Sequence, residues 1–231
     1  RTSIPYEGFK IGRRIDLKIT DIEKLKQRVP EIQYIAPRNA KGVFGGAAPT
    51  VTRNNKSSNY NVYGDYPVYT KIATKKIYEK GRFINDEDIR LNRKVCVIGE
   101  RTQKELFKKD EEPVGQYVRI DNIYFQVIGV HKYVPGGGFE SDGDIFIPFT
   151  TFRKLYNTGN NVDWFTIAAF DDVDVVAVEK EIKQTLKKIH TVAPEDERAI
   201  GGFNLGEVFN KIVGFSKGMT LLSLIVGIAT I

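Results

Sequence analysis

The C-terminal end of the sequence, residues 205–231, constrains the fold more than any other segment. Apolar residues recur there at alternating spacings of three and four, which is the heptad pattern of a long helix. They are Leu205, Val208, Ile212, Phe215, Met219, Leu222 and Val226. Charged residues of this segment lie only before Met219. The pattern predicts one continuous helix, with a stalk in water at residues 205–218 and the start of a transmembrane helix at residues 219–231.

The apolar run at residues 219–231 is too short to cross a bilayer by itself. At about 1.5 Å per residue it would cover roughly 20 Å, whereas the hydrocarbon core is about 30 Å thick. Two interpretations stay open: a buried C-terminal core helix, or a membrane helix that is cut soon after it begins. The first residue is Arg1, and no apolar signal-peptide core follows it. We therefore expect the sequence to be a piece of a longer chain.

The composition is that of a folded protein with a mixed-charge surface. Of the 231 residues, 41% are hydrophobic and 28% are charged, which is enough for one large domain or two small ones. The formal net charge is +6, but basic and acidic residues are interleaved, and no nucleic-acid-binding motif accompanies them. A single cysteine, Cys96, excludes an internal disulfide. These features exclude general disorder and argue against a nucleic-acid partner.

Two segments near the ends of the sequence have the same order, a strand followed by a helix. In residues 13–36, alternating apolar residues predict a strand, and a capping box at Thr20 predicts the helix start. In residues 164–190, an aromatic-rich strand precedes an apolar helical face, with Asp171 or Asp172 as the cap. The two units are expected to share one sheet, which would make the segment between them an insertion.

The segment between these units is rich in short strands and turns. The predicted strands are residues 60–72, 95–98, 117–120, 124–134 and 144–149. The third and fourth form a hairpin that turns near Asp121-Asn122. Residues 42–58, rich in small and polar side chains, are predicted to be a linker or a long surface loop. We predict an α+β fold with a discontinuous domain of residues 1–58 and 164–204 and an inserted strand-rich domain of residues 59–163.

Histidine and cysteine residues are few and scattered. His131 and His190 lie in different predicted elements and have no metal-ligand spacing. Cys96 lies in an apolar strand, where a buried inert thiol is expected. Catalysis by these side chains is therefore not expected.

Glycine and acidic clusters do not have the spacing of binding motifs either. Gly45-Gly46 and Gly136–Gly138 are not followed by the helix start of a phosphate loop. The set Glu140, Asp142 and Asp144 lacks the EF-hand spacing, which disfavours calcium binding, and Asp86, Glu87 and Asp88 are typical of a solvated turn or a helix start. The sequence predicts no catalytic, cofactor-binding or metal-binding residues.

A series of short motifs in the central segment is similar to a known family. The motifs are GRFINDED (81–88), VCVIG (95–99), ELF (105–107), PVG (113–115), FQVIGV (125–130) and IFIP (145–148). Each has a structural reason: Gly81 permits a tight turn, and Gly129 inside an apolar strand predicts a bulge or a close backbone approach. In order and spacing the series resembles the MacB-like periplasmic core domain of bacterial ABC transporter permeases.

The resemblance implies a two-lobed domain outside the cytoplasm, placed between the first and second transmembrane helices of a permease in the bacterial inner membrane. The chain-terminal units would form the porter lobe, and the insertion would form the sabre lobe. One membrane helix would precede Arg1, and another would continue from Ile231. The domain would be non-catalytic and would transmit movement driven by ATP hydrolysis in a separate ABC ATPase subunit or domain.

The partners that the resemblance implies are this ABC ATPase, a second permease copy in a dimer, the membrane and, in some members, a periplasmic adaptor. Two other hypotheses stay open from the residues alone. One is an extracytoplasmic sensor domain that binds a peptide or lipid, and the other is a soluble hydrolase of unfamiliar type.

Overall fold

The computed structural model describes residues 1–134 and 140–205, which fall into two compact units. Unit 1 consists of Arg1–Ile15, Glu23–Gln33 and the chain from Ala169 on. Unit 2 consists of Asp16–Ile22 and Tyr34–Ala168. The predicted stalk beyond Leu205, the predicted transmembrane start and the cluster Gly136–Gly138 lie outside the described residues.

Runs of strands are interspersed with helices along the described chain, which confirms the α+β prediction. The strands are β1 (Leu17–Lys18), β2 (Ile32–Lys41), β3 (Thr50–Arg53), β4 (Lys56–Asn59), β5 (Val62–Asp65), β6 (Val95–Gly99), β7 (Tyr117–Ile120), β8 (Ile123–His131), β9 (Ile145–Pro148), β10 (Asn161–Val162) and β11 (Trp164–Ala169). The helices are α1 (Asp21–Arg28), α2 (Tyr69–Ile72), α3 (Asp86–Arg90), α4 (Glu100–Leu106), α5 (Phe149–Tyr156) and α6 (Val175–Ile189).

A mixed sheet of nine strands organises unit 2. Its order is β11-β2-β5-β9-β6-β8-β7-β3-β4, and β1 pairs with β10 in a separate two-stranded sheet. Strands β5 and β9 are parallel, as are β6 and β8, whereas the other pairs with a defined register are antiparallel. Strands β2 and β11 are neighbours in this sheet. They belong to the two strand–helix segments near the ends of the sequence, which were expected to share one sheet.

The central strands β6 and β9 are buried along their whole length, because both faces of the sheet are covered there. Successive side chains of a strand point to opposite faces. Cys96 and Ile98 therefore join one hydrophobic cluster, whereas Val97 joins another with Tyr63 and Phe146. The first cluster includes side chains from α4 and α5, namely Leu106 and Phe152.

Unit 1 contains most of α1 and all of α6. Leu25 of α1 and Val29 directly after it, together with Val178 and Leu186 of α6, are buried. Helix α6 begins after Asp174, whose carboxylate accepts a hydrogen bond from the Val176 amide at 2.9 Å. The prediction that Asp171 or Asp172 caps this helix is therefore wrong, since the chain turns for two more residues before the helix begins.

The hairpin and glycine predictions are confirmed. Strands β7 and β8 are joined by Asp121 and Asn122 with φ of 42° and 71°, as a tight two-residue turn requires. Between β6 and β8 the register shifts, so that Val127 lies opposite Cys96 but Gly129 lies opposite Val97. The extra residue is a bulge, and a Cβ added at Gly129 would lie 2.4 Å from the Arg82 carbonyl oxygen.

Two local predictions are wrong. Residues 42–58 are not a loop throughout, because β3 and β4 form a hairpin that extends the sheet, with Val51 opposite Ile120 of β7. Most side chains of this hairpin are polar and at least partly exposed, which hid the strand pattern in the sequence. The predicted strand at residues 60–72 ends at Asp65, and a short helix, α2, follows.

Two further expectations concern whole segments. The lobes predicted at residues 1–58 with 164–204 and at 59–163 stay a prediction, although residues 34–58 pack within unit 2. Across residues 1–134 and 140–205, no helix combines the length and the apolar character needed to span a membrane.

Candidate functional site

Cys96 and His131 are buried in the core, and His190 is partly buried. Cys96 is buried in β6, and burial raises the pKa of its thiol, which makes it a poor nucleophile. His131 ends β8, and its Nε2 lies 2.8 Å from the Asp144 carbonyl oxygen. Burial lowers the pKa of His131 and keeps the ring neutral. His190 belongs to unit 1, where it is the C-cap of α6.

The acidic residues near β9 bind protein groups. Asp142 accepts a hydrogen bond from Arg101 Nε at 3.0 Å, and Asp144 accepts from the Ser141 amide at 2.7 Å and from Asn61 at 3.0 Å. Glu140 binds two buried cations, described below. Among the described residues, no group of three or more His, Cys, Asp or Glu side chains is arranged to hold a metal ion.

Asp86, Glu87 and Asp88 form the first turn of α3, which confirms a helix start. Asn85 and Asp88 make a reciprocal capping box, in which each side chain accepts the other residue's amide at 3.0 Å. Asp88 is buried rather than solvated, and it pairs with Arg82 at 2.6 Å. The sequence did not predict that Asp88 is buried.

Gly45 and Gly46 form a tight turn. Phe44 and Gly45 have positive φ, and the Gly46 amide donates to the Val43 carbonyl oxygen at 3.0 Å. The Gly46 amide therefore already has a hydrogen-bond acceptor within the protein.

A buried charge cluster, which consists of Arg38, Asp65, Lys75 and Glu140, lies within unit 2. The register of β2 and β5 sets Asn39 opposite Gly64 and thereby brings Arg38 opposite Asp65. The Arg38 guanidinium donates Nε to Asp65 at 2.6 Å and Nη2 at 2.8 Å, and Nη2 also lies 2.9 Å from Glu140. Lys75 Nζ contacts the other Glu140 oxygen. Two cations therefore face two carboxylates.

Aromatic rings close the space around this cluster. The Arg38 guanidinium carbon lies 3.7 Å from the Tyr69 ring centroid, 4.8 Å from that of Tyr63 and 5.5 Å from that of Trp164. The Tyr69 hydroxyl donates to Glu140 at 2.5 Å, and burial raises the pKa of Tyr69 to about 12, so the phenol stays protonated. Burial also lowers the pKa of Lys75. Its contact with Glu140 opposes that shift. The enclosed geometry indicates a structural cluster.

Sequence reasoning missed this cluster, because it considered Glu140 only as a calcium ligand and did not single out Arg38, Asp65 or Lys75. A single charged residue inside an otherwise buried strand, such as Arg38 in β2 or Asp65 in β5, was the available signal. The sequence gives no pairing between them, because it does not contain the strand order.

A second polar cluster, the terminal clasp, lies in unit 1 and joins the N-terminal segment to the chain after α6. Asp196 accepts hydrogen bonds from the Ser3 amide at 2.6 Å, the Ser3 hydroxyl at 2.7 Å and the Ile4 amide at 3.1 Å. The Arg13 Nη2 group donates to the carbonyl oxygens of His190 at 2.8 Å and Thr191 at 2.6 Å. Segments about 190 residues apart in sequence are thus held by one carboxylate and one guanidinium.

The clasp also predicts how the folding stability depends on pH. Its hydrogen bonds, chiefly those from Ser3, hold the pKa of Asp196 at about 2 against the opposing effect of burial, below the ordinary value of 3.8. Because the folded-state pKa is depressed, this stabilisation is present above about pH 4 and is lost as the pH falls through about 2. We expect the melting temperature to fall less steeply between pH 4 and pH 2 for Asp196→Asn than for the wild type, measured by circular dichroism.

The control for this measurement is Glu195→Gln. Glu195 is the exposed neighbour of Asp196, and its substitution removes one carboxylate at almost the same place. The control should keep the wild-type slope. Equal slopes for Asp196→Asn and the wild type would contradict the assigned hydrogen bonds.

Two surface depressions are open to solvent. One is lined by Thr50, Thr52, Arg119, Asp121 and Asn122. The other lies along the polar face of α6, near Lys183 and Glu197. Neither has the enclosed apolar lining that is typical of a lipid site.

The sequence is similar to ATP-binding export permeases. It is 27% identical over 214 residues to the macrolide export ATP-binding/permease protein MacB of Bdellovibrio bacteriovorus, covering 91% of this chain and 32% of that protein. It is 32% identical over 165 residues to the pyoverdine export ATP-binding/permease protein PvdT of Pseudomonas syringae pv. syringae, covering 70% of this chain and 24% of that protein. The chain thus spans about a third or less of the length of these relatives.

Solved structures and a family model agree with this similarity. The periplasmic region of MacB from Actinobacillus actinomycetemcomitans matches with a TM-score of 0.64 and 26% identity over 77% of both chains. The extracellular domain of the noncanonic ABC-type transporter YknZ from Gram-positive bacteria shares the fold, with a TM-score of 0.65 at 19% identity over 78% of this chain and 87% of that chain. The family model of the MacB-like periplasmic core domain matches residues 3–185. The chain belongs to the MacB-like periplasmic core domain family.

Proposed function

We propose that this chain is the extracytoplasmic domain of an ABC transporter permease in the bacterial inner membrane, and that it couples ATP hydrolysis in the cytoplasm to export or mechanical work outside the membrane. Family membership supports the location, and the relatives named above are export permeases. The domain itself is non-catalytic in this proposal. ATP hydrolysis belongs to an ABC subunit or domain, a second permease copy completes a dimer, and a periplasmic adaptor joins the assembly as it does in some members of the family.

The terminal clasp is the observation that carries the mechanical part of this proposal. In the proposed topology, the chain before Arg1 and the chain after Leu205 lead to membrane helices. Asp196 and Arg13 tie the segments next to both of these ends together within unit 1. Two helices whose outer ends share one rigid unit move together, whereas flexible linkers would absorb the displacement.

A second contact supports the same role at the C-terminal side. The Asn204 side-chain amide donates to the Val175 carbonyl oxygen at 3.2 Å and to Glu179 at 2.9 Å, both in the first turns of α6. A Cβ added at Gly202 would lie 2.6 Å from Glu179 Oε1, so the chain passes close to the helix there. Movement of the chain that follows residue 204 therefore reaches α6 directly.

The test is coupling in the full-length permease with its ATPase. The substitution Asp196→Asn turns an amide nitrogen toward N–H donors and loosens the clasp. We expect export to fall several-fold while ATP turnover continues, measured in proteoliposomes that contain both subunits. Glu195→Gln is the matched control and should export normally.

Three outcomes would contradict the proposal. Equal loss of export and ATP turnover in Asp196→Asn, with a wild-type circular dichroism spectrum, would show that the clasp does not act in coupling. Unchanged export would remove the clasp from the mechanism. Chemical labelling that finds residues 81–148 in the cytoplasm of cells with the intact gene would overturn the location as well.

A further inference from the structure

A short N-terminal loop, residues 5–12 of unit 1, presents apolar side chains to solvent on a rigid support. Ile11 is 64% exposed and Phe9 is 45% exposed. Lys10 separates the two in sequence, and the Arg13 guanidinium carbon lies 4.1 Å from the Phe9 ring centroid, so cationic groups lie directly beside the apolar ones. Isolated exposed apolar residues are common, but two of them within three residues of a preformed loop are a candidate contact surface.

Hydrogen bonds hold the loop in one shape. The Tyr6 and Phe9 backbones exchange two hydrogen bonds, at 3.1 Å and 2.8 Å, around a turn in which Glu7 and Gly8 have positive φ. At the base, Thr2 donates its amide to Arg13 at 3.0 Å and accepts the Gly12 amide at 2.8 Å. A loop that is already ordered loses little conformational entropy when it binds.

Basic residues flank the apolar pair. Residues 1–16 contain Arg1, Lys10, Arg13 and Arg14, against two carboxylates, Glu7 and Asp16, and the Arg13 guanidinium is already engaged in the terminal clasp. Lys10 lies between the two apolar residues in sequence, and both Lys10 and Arg14 are exposed. Alternation of apolar and basic side chains suits the boundary between lipid headgroups and acyl chains, where the apolar groups are buried and the cations meet phosphates. Glu7 at the turn limits the depth of the contact.

We propose that the loop of residues 5–12 docks on an anionic phospholipid surface through Phe9, Ile11 and Lys10. The base of the loop closes on Thr2, so a membrane helix before Arg1, which the proposed function expects, would bring the loop next to the bilayer. The charge complementarity and the exposed apolar pair do not themselves depend on transport. The contact would fix the orientation of unit 1 at the membrane surface.

The experiment uses a local probe, because residues 219–231 are uncharged and apolar enough to attach the chain to vesicles by themselves. An environment-sensitive dye is placed at position 11 through Ile11→Cys in the 231-residue chain, and the native Cys96 is too buried to react. The control is Tyr124→Cys, since Tyr124 is also 64% exposed but belongs to unit 2.

Vesicles of phosphatidylcholine alone and vesicles with added phosphatidylglycerol are compared, with spin-labelled lipids as quenchers. The dye at position 11 should shift to the blue and be quenched in anionic vesicles, and the dye at position 124 should not. Lys10→Glu should weaken the effect about fivefold or more, as loss of a cation at an anionic surface predicts.

Three results would overturn the inference. They are a dye at position 11 that stays in water with anionic vesicles, equal quenching at positions 11 and 124, and equal quenching in neutral and anionic vesicles. The readout needs no ATPase and no export, so failure here leaves the proposed coupling function untouched, and a failed coupling test leaves the membrane contact standing.

Discussion

Replacing Asp65 by alanine is expected to destabilise unit 2 by about 3–5 kcal/mol, which is the usual cost of leaving a buried charge without its partner. Asp65 is completely buried and receives two hydrogen bonds from Arg38. Without it, Arg38 and Lys75 would share the single carboxylate of Glu140 in a space closed by aromatic rings. The cluster would carry an uncompensated positive charge that water does not reach.

The free energy of unfolding can be measured by urea titration with Trp164 fluorescence, because Trp164 is the only tryptophan in the sequence and its ring lies 5.5 Å from Arg38. The matched control is Glu87→Ala. Glu87 also pairs with an arginine, Arg90, at 2.6 Å, but both side chains are largely exposed. We expect the control to unfold at close to the wild-type urea concentration, because an exposed ion pair contributes little to stability.

A double variant, Arg38→Leu with Asp65→Ala, separates charge from packing. It removes one cation and one anion and leaves Lys75 paired with Glu140, so the double variant should be more stable than Asp65→Ala alone. A loss below about 1 kcal/mol in Asp65→Ala would contradict the buried ion pair.

Gly129→Ala is expected to destabilise unit 2 by about 1–3 kcal/mol, the range for overpacking of a closely packed core. The added Cβ would lie 2.4 Å from the Arg82 carbonyl oxygen and 3.1 Å from the Arg82 nitrogen, which are backbone atoms. Arg82 cannot move away cheaply, because its amide donates to the Ile128 carbonyl oxygen at 2.9 Å. Either that hydrogen bond or the bulge in β8 must give way.

Gly201→Ala is the control for this substitution. Gly201 has no heavy atom within 4 Å of an added Cβ and no positive φ, so alanine should be neutral or slightly stabilising there. Urea titration followed by Trp164 fluorescence compares the Gly129 variant with the wild type, and circular dichroism follows the Gly201 variant. If Gly129→Ala unfolds at the same urea concentration as the wild type, the Arg82 backbone is not packed tightly against Gly129.

Most of the regular structure could be predicted because its signals are local. The apolar strands β6 and β9 and helix α6 follow from their own residue patterns. The turn at Asp121 and Asn122 follows from turn chemistry, since these residues tolerate positive φ. The interpretation of Gly129 as a bulge or a close approach was also correct, because a glycine in a buried strand has few other uses.

The wrong predictions concern segments whose structure depends on contacts with residues that are distant in sequence. Strands β3 and β4 carry Thr, Ser, Asn, Lys and Arg around a single buried Val51, and only pairing with β7 makes them strands. Asp171 and Asp172 satisfy the capping rule as well as Asp174 does, but the helix begins after the last of the three. Local propensity could not distinguish these alternatives.

The family, the α+β class and the lack of a catalytic motif were inferred from the sequence alone, because motif order, strand patterns and residue types are linear properties. The buried charge cluster and the terminal clasp were decided only by the tertiary structure. Arg38 meets Asp65 through a strand register, and Ser3 meets Asp196 across nearly the whole length of the sequence. A lone charge in the sequence indicates that a partner must exist, but only the folded chain brings that partner within hydrogen-bond distance.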